Sequence, residues 1–360
     1  MTPHTEIAAR RARLSSELAQ HKVEALLITA LPNVRYLSGF TGSNGTVLVT
    51  KDRAVLFTDP RYQTQAPLES DCDVKIAKGP VLSEALKLLK KLGVKRVGFE
   101  RNRASFETYD YLKREAPGVK LVGLPGLVER LRMVKSPVEI ATIKASVELN
   151  SAALEQAIST FRAGTTELDV AAEIEYRMRR LGADGPAFET IVASGARSAL
   201  PHAHPTAAAA ANDQLLLIDM GAFVAGYASD MTRTFGVGRL SSKAKRIYRA
   251  VLESQLAAID AVKAGIPASS VDRAARSVLR RHGFEKMFIH STGHGLGLEI
   301  HEGPRVGRKE ATRLEAGMAI TIEPGVYLEG FGGVRIEDTV VVTDTGCQVL
   351  TPTKKDLLVL

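Results

Sequence analysis

Two acidic residues lie in a strand-like stretch in the second half of this 360-residue chain. Asp219 directly follows the run Leu215–Ile218, and Asp230 lies further along the same strand-like stretch. A hairpin that turns at Val224 and Ala225 places the two carboxylates directly opposite each other, with Cβ atoms about 4.5–5.5 Å apart. Such carboxylates repel each other and are poorly solvated. We therefore expect a bound cation between them, the alternative being that Asp219 simply ends its strand in solvent.

A second pair of acidic residues repeats this arrangement near the end of the chain. Glu323 and Glu337 each follow an isoleucine in a β-branched stretch, and they lie symmetrically about Gly330. A hairpin centred on Gly330 brings their carboxylates opposite each other. Because the arrangement occurs twice, the sequence favours a cation site built from four carboxylates over two unrelated surface positions.

Histidines are concentrated in the same part of the chain, since six of the eight lie between residues 202 and 301. His294 stands between Gly293 and Gly295, and glycines at both sides let a backbone approach another group closely, such as a metal centre. A single histidine here is otherwise typical of a satisfied core residue. With four carboxylates available as co-ligands, we expect His294 to bind metal.

Four carboxylates and one imidazole form a ligand set for two divalent cations. This oxygen-rich set favours Mn²⁺, with Co²⁺ or Zn²⁺ also compatible, while the only cysteines, Cys72 and Cys347, are too few for a sulfur-rich site. Two such ions about 3.5–4 Å apart hold a bridging hydroxide at neutral pH and polarise a carbonyl group. The predicted chemistry is therefore hydrolysis.

The elements that would carry these residues fall into two predicted domains, residues 1–126 and 127–360. The first domain alternates helices with short apolar strands, which indicates an α/β layer structure. Its predicted strands are residues 25–30, 46–50, 54–58, 96–99 and 120–122, and its predicted helices are residues 6–21, 82–92 and 105–115.

The second predicted domain begins with a helix at Ser136. Ser136 can cap this helix, Pro137 suits its first position and Glu139 completes a capping box. We expect this helix to end before Gly164 and a second helix to end at Gly182. Strand-like residues follow to about 240, and then two further helices and further strands. The order of helix, helix and strands therefore occurs twice, which predicts a duplicated α+β unit with strands at the centre and helices outside.

Composition excludes several classes of protein. Hydrophobic residues make up 45% of the chain and charged residues 24%, as in soluble globular proteins. No apolar run is long enough to span a membrane, and the N-terminus lacks the apolar core of a secretion signal, so we expect a cytoplasmic protein. The net charge of +8 arises from residues 1–135, which carry +9. These charges are scattered and tryptophan is absent, so we expect a solvated surface and no nucleic-acid partner.

The acidic and histidine motifs resemble those of the pita-bread metallopeptidases, which include methionine aminopeptidase, aminopeptidase P and prolidase. The resemblance spans about residues 136–351, and it implies a central curved antiparallel sheet with outer helices, preceded by a smaller α/β creatinase-like domain. All five of the family's metal ligands are matched, which argues against relatives that have lost the metal site. The matched positions are Asp219 in IDMG, Asp230 in YASDMTRTF, His294 in GHGLG, Glu323 in IEPGVY and Glu337 in GGVRIED.

The resemblance also implies roles for further residues. His202 resembles the histidine beside the scissile carbonyl or leaving group, and His301 resembles the one that contacts substrate and stabilises the tetrahedral intermediate. Glu323 doubles as ligand and proton shuttle. His204 either shares in the site or merely lies near it. The substrate-binding positions implied are His290 as a wall of the proline pocket, Arg335 and Tyr327 as supporting or substrate-contact residues, and Arg305 as a carboxylate clamp.

Within this family, the leading domain favours the proline-specific members over methionine aminopeptidase. The segments YLSGFTGSNG and TDPRYQTQA resemble the signatures of aminopeptidase P, although Pro60 stands where that family usually has glycine. Arg305 in HEGPR is positioned so that it could act as the carboxylate clamp of a dipeptidase. The sequence leaves its direction open, and the alternative is a solvated loop residue.

The sequence thus predicts a dinuclear metal-dependent exopeptidase that removes the residue before proline from peptides, an Xaa-Pro aminopeptidase acting through a metal-bridging hydroxide. The first alternative is an Xaa-Pro dipeptidase, or prolidase. A non-catalytic pita-bread scaffold that binds RNA or an acidic partner is the second. The resemblance further implies a homodimer formed through the N-terminal domain, which would also limit substrate size.

Overall fold

A computed structural model describes residues 3–210 and 212–360 of the chain. The chain divides into two compact units, Met1–Arg132 and Met133–Leu360. Within the described ranges, no helix is both long and apolar enough to cross a membrane.

The N-terminal unit is an α/β layer built on one mixed sheet, as the alternation of helices and strands predicts. Its described helices and strands are α1 (Pro3–Glu17), β1 (Ala25–Ile28), α2 (Leu31–Ser38), β2 (Gly45–Thr50), β3 (Ala54–Thr58), α3 (Gln65–Glu69), β4 (Asp73–Ile76), α4 (Val81–Lys91), β5 (Arg96–Glu100), α5 (Phe106–Glu115) and β6 (Lys120–Leu124). The sheet order is β4-β3-β2-β1-β5-β6. Helix α6 (Leu127–Met133) then leads out of the unit.

The predicted strands of this unit all occur, at β1, β2, β3, β5 and β6. Their apolar side chains, such as Leu27, Leu48 and Phe57, are fully buried in one core together with Leu89 of α4. The sequence pattern does not predict α2, α3, α6 or the edge strand β4. These are short elements, and β4 is largely exposed, so neither length nor hydrophobic pattern marks them.

The C-terminal unit contains the duplicated order of elements that the sequence predicts. Its first half comprises α7 (Pro137–Ser159), α8 (Glu167–Leu181), β7 (Gly185–Pro186), β8 (Ile191–Ser194), β9 (Gln214–Met220), β10 (Ala222–Val224), β11 (Tyr227–Ala228) and β12 (Met231–Val237). Its second half comprises α9 (Ser242–Ala261), α10 (Ala268–Arg281), β13 (Gly293–Gly295), β14 (Glu302–Val306), β15 (Ala319–Ile322), β16 (Gly325–Leu328), β17 (Gly332–Arg335), β18 (Asp338–Val342) and β19 (Cys347–Val349).

The two halves meet at the centre of this unit. The first half supplies the antiparallel strands β12-β9-β8, and the second supplies β14-β13-β15-β18-β19. They join where the backbone N–H of Glu337 donates to the carbonyl of Thr232 over 3.1 Å. Helix α7 packs against α8, and α9 packs against α10. This is the central sheet with outer helices that the resemblance implies.

Helix α7 begins with the predicted capping box. Ser136 Oγ accepts from the Glu139 backbone N–H at 3.2 Å, and Glu139 Oε2 accepts from the Ser136 N–H at 2.9 Å. The other Glu139 oxygen, Oε1, accepts from the Tyr227 hydroxyl at 2.9 Å. The cap therefore fixes the start of α7 and also ties it to the strand that contains Tyr227.

Replacing the capping serine tests this arrangement. Ser136→Ala removes the acceptor of the Glu139 N–H, so we expect the C-terminal unit to lose about 1 kcal/mol of unfolding free energy. Ser159→Ala, at the exposed end of the same helix, is the matched control and is expected to change stability little. Thermal unfolding followed by circular dichroism compares the two variants, and equal midpoints would contradict the role of the cap.

Candidate metal centre

The alternation of side chains along the strands directs the acidic residues towards one cavity. Ile218 of β9 packs into the core beneath α7 and α8, whereas Ile322 and Ile336 pack into the core beneath α9 and α10. Because neighbouring residues in a strand point to opposite faces, the residue after each isoleucine faces away from the helices. Those next residues are Asp219, Glu323 and Glu337.

The second predicted hairpin is confirmed. Strand β15 pairs with β18 through Ile322 and Asp338, and β16 pairs with β17 through Gly325 and Arg335. Both pairings are symmetric about Gly330, so the register places Glu323 opposite Glu337, where the strands are interrupted. The acidic pair therefore lies at a break in an otherwise continuous ladder.

The register predicted for the first hairpin is wrong by two residues. The turn lies at Ala225 and Gly226, both with positive φ, rather than at Val224 and Ala225. A two-residue hairpin turn needs positive φ at both central positions, and glycine adopts it without strain, so Gly226 fixes the turn one residue later. Asp219 consequently pairs with Thr232, not with Asp230. The shift of two positions preserves the face, so both carboxylates still line the cavity.

His294 presents one ring nitrogen to these carboxylates. Its Nδ1 lies 3.0 Å from the carbonyl oxygen of Gly295, and since a carbonyl only accepts, Nδ1 carries a proton. Its Nε2 lies 3.4 Å from Asp230 Oδ2 and 3.6 Å from Glu323 Oε1. The ring is thereby oriented with Nε2 towards the acidic cluster.

The glycines beside His294 allow close packing of backbone segments, whereas the sequence suggested close approach to a metal centre. A Cβ added at Gly293 would overlap the backbone carbonyl of Thr321, and one added at Gly295 would overlap that of Gly303. The close approach is thus to neighbouring backbone segments rather than to a metal ion. These contacts hold the short strand β13 between its neighbours and so fix where His294 points.

Arg335 is hydrogen-bonded to one of the candidate ligands and to two hydroxyl groups beside the cluster. Its guanidinium donates to Asp219 Oδ2 at 2.5 Å, to the Tyr327 hydroxyl at 2.7 Å and to Thr232 Oγ1 at 3.0 Å. The Thr232 hydroxyl in turn donates to Glu337 Oε2 at 2.7 Å. The other carboxylate oxygen of Asp219, Oδ1, is buried and has no hydrogen-bond partner among the described residues.

The pKa values of the carboxylates in this cluster show that their negatively charged forms are disfavoured. Burial, reinforced by the neighbouring carboxylates, raises the pKa of Glu337 well above its ordinary value and that of Glu323 to about 7. Burial, followed by the charge of Asp219, raises the pKa of Asp230 to about 6. Burial alone would lower the pKa of His294, but its contact with Asp230 raises that pKa to about 9.

These observations fit a divalent cation. The donor atoms of Asp230, His294 and Glu337 lie within 4.8 Å of one another, among the residues that the structure describes. Oxygen and imidazole donors suit Mn²⁺, Co²⁺ or Zn²⁺, and the unsatisfied Oδ1 of Asp219 is the kind of buried atom that a cation would satisfy. A cation would also remove the repulsion that raises the carboxylate pKa values.

The remaining predicted residues surround the same cavity, whose volume is about 640 Å³. His202 and His204 line one side, and His204 Nδ1 contacts Glu189 at 3.0 Å. The ring of His301 stands edge-on to that of His294, with 4.3 Å between centroids. Arg305 also lines the cavity. The predicted residues thus come together from strands and loops that are far apart in sequence.

His290 lines the cavity, whereas Tyr327 is buried behind it. The Tyr327 hydroxyl lies 2.8 Å from His290 Nε2 and accepts from Arg335. Burial, followed by the charge of Arg335, lowers the pKa of His290 to about 3, so this ring is neutral. Tyr327 therefore supports two cavity residues and is not itself part of the cavity wall.

Two threonines that contact the candidate ligands are not among the residues predicted from the sequence. Thr232 connects Glu337 with Arg335. Thr321 Oγ1 accepts from the His294 backbone N–H at 3.1 Å and lies 3.4 Å from Glu323 Oε1. The signal that would have found them is spacing, since each lies two residues from an acidic candidate and hence on the same strand face.

Comparison with known proteins agrees with this geometry. Residues 141–344 match metallopeptidase family M24, and residues 10–134 match the Creatinase/Prolidase N-terminal domain. The chain belongs to metallopeptidase family M24. The resemblance drawn from the five ligand motifs, and the fold it implied, are therefore confirmed.

Named relatives of this M24 chain span nearly its whole length. The Xaa-Pro dipeptidase of Pyrococcus horikoshii is 38% identical over 94% of this chain and 95% of its own. A solved Xaa-Pro dipeptidase from Bacillus anthracis superposes with a TM-score of 0.96 at 39% identity, covering 98% of this chain and 100% of that one. A solved X-Pro aminopeptidase from Thermotoga maritima gives 0.91 at 37% identity, with coverage of 98% and 100%.

The packing of the glycines beside His294 gives a first prediction for the site. In Gly293→Ala the new methyl group overlaps the Thr321 carbonyl, so β13 must shift and His294 with it. We expect peptidase activity to fall at least about a hundredfold, because displacement of a catalytic group by about 1 Å costs that much. Gly346→Ala, whose Cβ would meet open space, is the control. Similar kcat/KM values for both variants would contradict this account.

Metal dependence gives a second prediction. Adding Mn²⁺ to chelator-treated protein should raise its thermal midpoint, since a ligand that binds only the folded state stabilises it, by about 2.7 kcal/mol at a hundredfold excess over Kd. His294→Ala and Asp219→Ala should lose both this shift and the activity while remaining folded. The matched control is His282→Ala, whose ring contacts Glu253 at the surface. Near-normal turnover of either site variant would show that the ligands are assigned wrongly.

Proposed function

We propose that this M24 chain is an Xaa-Pro dipeptidase, an enzyme that hydrolyses the bond between an N-terminal residue and a C-terminal proline. The observation that carries the proposal is the guanidinium of Arg305, which lines the cavity of the candidate metal ligands and has no ion-pair partner among the residues that the structure describes. A dipeptide with proline at its second position has an α-amine at one end and a carboxylate close by at the other. A cation near the metal ligands suits that second charge.

The position of Arg305 follows from strand pairing. Residue 305 lies directly opposite His294 in the antiparallel pair of β13 and β14, so both side chains project from the same face. Arg305 Nε donates to Ser291 Oγ at 2.7 Å, and this is its only side-chain hydrogen bond in the part of the chain that the structure describes. The two terminal nitrogens remain available for a bidentate contact with a carboxylate.

The other cavity residues suit the hydrolysis of a bond to proline. Metal ions held by Asp219, Asp230, His294, Glu323 and Glu337 would supply Lewis acidity and a water of lowered pKa. Glu323, whose pKa burial raises to about 7, is suited to accept a proton from water and to pass it on. The proline nitrogen has no N–H of its own, and it must receive that proton in order to leave.

The histidines complete this assignment. Burial, followed by the charge of His294, lowers the pKa of His301, so its neutral ring can donate a hydrogen bond to a developing oxyanion. His202 lines the same cavity and is assigned to the leaving-group side, and neutral His290 forms a wall for the proline ring. Mn²⁺ as the native metal, a homodimer and a cytoplasmic location stay predictions from the sequence.

The aminopeptidase expected from the N-terminal motifs is the second candidate. The similarity to the X-Pro aminopeptidase structure favours it, and both readings share the same ligands and family. The substrate of an aminopeptidase has no carboxylate on its proline, however, whereas Arg305 supplies a cation suited to such a carboxylate in the cavity of the candidate ligands. The relatives named as Xaa-Pro dipeptidases also support the dipeptidase as the first candidate. The complete ligand set argues against the non-catalytic scaffold.

Parallel assays of two peptides test the proposal. With Mn²⁺ supplied, we expect Ala-Pro to be cleaved much faster than Ala-Pro-Ala, and chelator to abolish both activities. Arg305→Met should raise KM for Ala-Pro about ten- to a hundredfold, the loss expected for a charged hydrogen-bonded contact. Arg249→Met, at an exposed position of α9, serves as the matched control.

The outcomes separate the candidates. Cleavage of Ala-Pro-Ala with little cleavage of Ala-Pro would identify an aminopeptidase and remove the clamp role of Arg305. An unchanged KM in Arg305→Met would refute the clamp even if Ala-Pro is the better substrate. Metal-supplemented protein that cleaves neither peptide would refute the enzyme assignment.

A further inference from the structure

A second cavity, of about 570 Å³, adjoins the catalytic cavity on the side of Arg305. The two cavities share His290, Ser291 and Arg305 as lining residues. A peptide that continued past a proline packed against His290 would therefore enter this second cavity beside Arg305.

The second cavity is lined by cations with few opposing charges. Lys286, Arg305, Arg308 and Lys309 have no ion-pair partner within 4 Å among the residues that the structure describes. The carboxylate in the lining is Glu310, and its Oε1 already accepts from the Thr312 backbone N–H at 3.0 Å and from the Thr312 hydroxyl. We call this cavity the basic groove, defined by Lys286, Arg305, Arg308 and Lys309.

The floor of the basic groove is fixed by a buried arginine. Arg276 pairs with buried Asp272 at 2.8 Å and donates to the backbone carbonyls of Phe288 and His290. Its charge is thus already compensated by Asp272, and it holds residues 288–290, which line the groove. Of the four cations of the groove, Arg308 is partly balanced by the charge of Glu285, which also pairs with Arg280.

We propose that the basic groove binds the acidic side chain of the residue after proline, so that the enzyme also hydrolyses tripeptides of the type Xaa-Pro-Asp and Xaa-Pro-Glu. Water would add its hydroxyl to the carbonyl carbon of Xaa and its proton to the proline nitrogen, releasing Xaa and Pro-Asp. This inference rests on the proposed function, because it assumes that the bond before proline is cleaved and that Arg305 marks the proline end.

Two features favour a peptide over a small inorganic anion in the groove. The side chain of Ile289 is 68% exposed in its lining, which suits the aliphatic part of a peptide. The groove also adjoins the cavity of the candidate metal ligands, with which it shares His290, Ser291 and Arg305 as lining residues. Charge complementarity then selects an acidic third residue over a neutral or basic one.

The test compares kcat/KM for Ala-Pro-Asp, Ala-Pro-Ala and Ala-Pro-Lys, with Ala-Pro measured on the same enzyme. All three tripeptides have a terminal carboxylate, so their differences isolate the third side chain. We expect Ala-Pro-Asp to exceed Ala-Pro-Lys by about tenfold, since several exposed charge pairs each contribute modestly. The preference should shrink at an ionic strength of about 1 M, where the Debye length is about 3 Å.

Charge-reversal variants assign the preference to the groove. Arg308→Glu/Lys309→Glu should reverse it in favour of Ala-Pro-Lys, each rate being taken relative to Ala-Pro for the same variant. The matched control is Lys245→Glu/Arg249→Glu, which makes the same charge change at exposed positions of α9 outside the groove. The control should keep the preference for Ala-Pro-Asp.

Equal rates for the Asp and Lys tripeptides, or the same loss of preference in the α9 control, would overturn the inference. An enzyme that cleaves Ala-Pro but no tripeptide would also overturn it, while leaving the dipeptidase proposal intact. Conversely, a preference for Ala-Pro-Asp that depends on Arg308 and Lys309 in an enzyme inactive on Ala-Pro would support the groove and refute the dipeptidase.

Discussion

Four carboxylates, from Asp219, Asp230, Glu323 and Glu337, share one buried cavity wall, where burial and mutual repulsion both oppose their charged forms. The neighbouring structure offsets part of this cost. Arg335 neutralises Asp219, and His294 lies beside Asp230. What remains is a cluster with raised carboxylate pKa values and an unsatisfied buried oxygen, an arrangement that a bound cation would stabilise.

The scaffold behind the cluster is itself polar and tightly bonded. Arg233 donates to the backbone carbonyl of Glu337 and pairs with buried Asp338 at 2.7 Å, and Lys355 contacts the other oxygen of Asp338 at 2.7 Å. Because these bonds fix the backbone beside Glu337, the candidate ligand is held from behind while its carboxylate faces the cavity. The carboxylate of Glu337 is thus positioned by a set of paired charges behind it, formed by Arg233, Asp338 and Lys355.

Much of the site could be predicted because its residues follow the simplest periodicities. Glu323 and Glu337 are symmetric about a glycine in β-branched stretches, and the hairpin formed as expected. The register of Asp219 could not be predicted in the same way, because it depends on which two residues adopt positive φ. The purpose of Gly293 and Gly295 also lay beyond the sequence, since the segments that pack against them come from elsewhere in the chain.

Elements of the fold could likewise be predicted where a local sequence signal marks them, and not where such a signal is absent. Helix α7 was predicted from its capping box, whereas α2 has no capping side chain at its N-terminus and spans only Leu31–Ser38. The position of Arg305, on which the proposed limit to substrate length depends, is set by pairing between strands. Arg305 was identified from its motif, but only the pairing of β13 with β14 shows that it lies on the face of His294.

The bonds that complete the acidic cluster join residues more than a hundred positions apart. Arg335 lies 116 residues after Asp219, and Glu337 lies 105 residues after Thr232. During synthesis from the N-terminus, the first half of the C-terminal unit emerges with Asp219 and Asp230 but without the partners that balance them. A nascent chain therefore cannot assemble this cluster until the strands that position Glu323, Arg335 and Glu337 have been made.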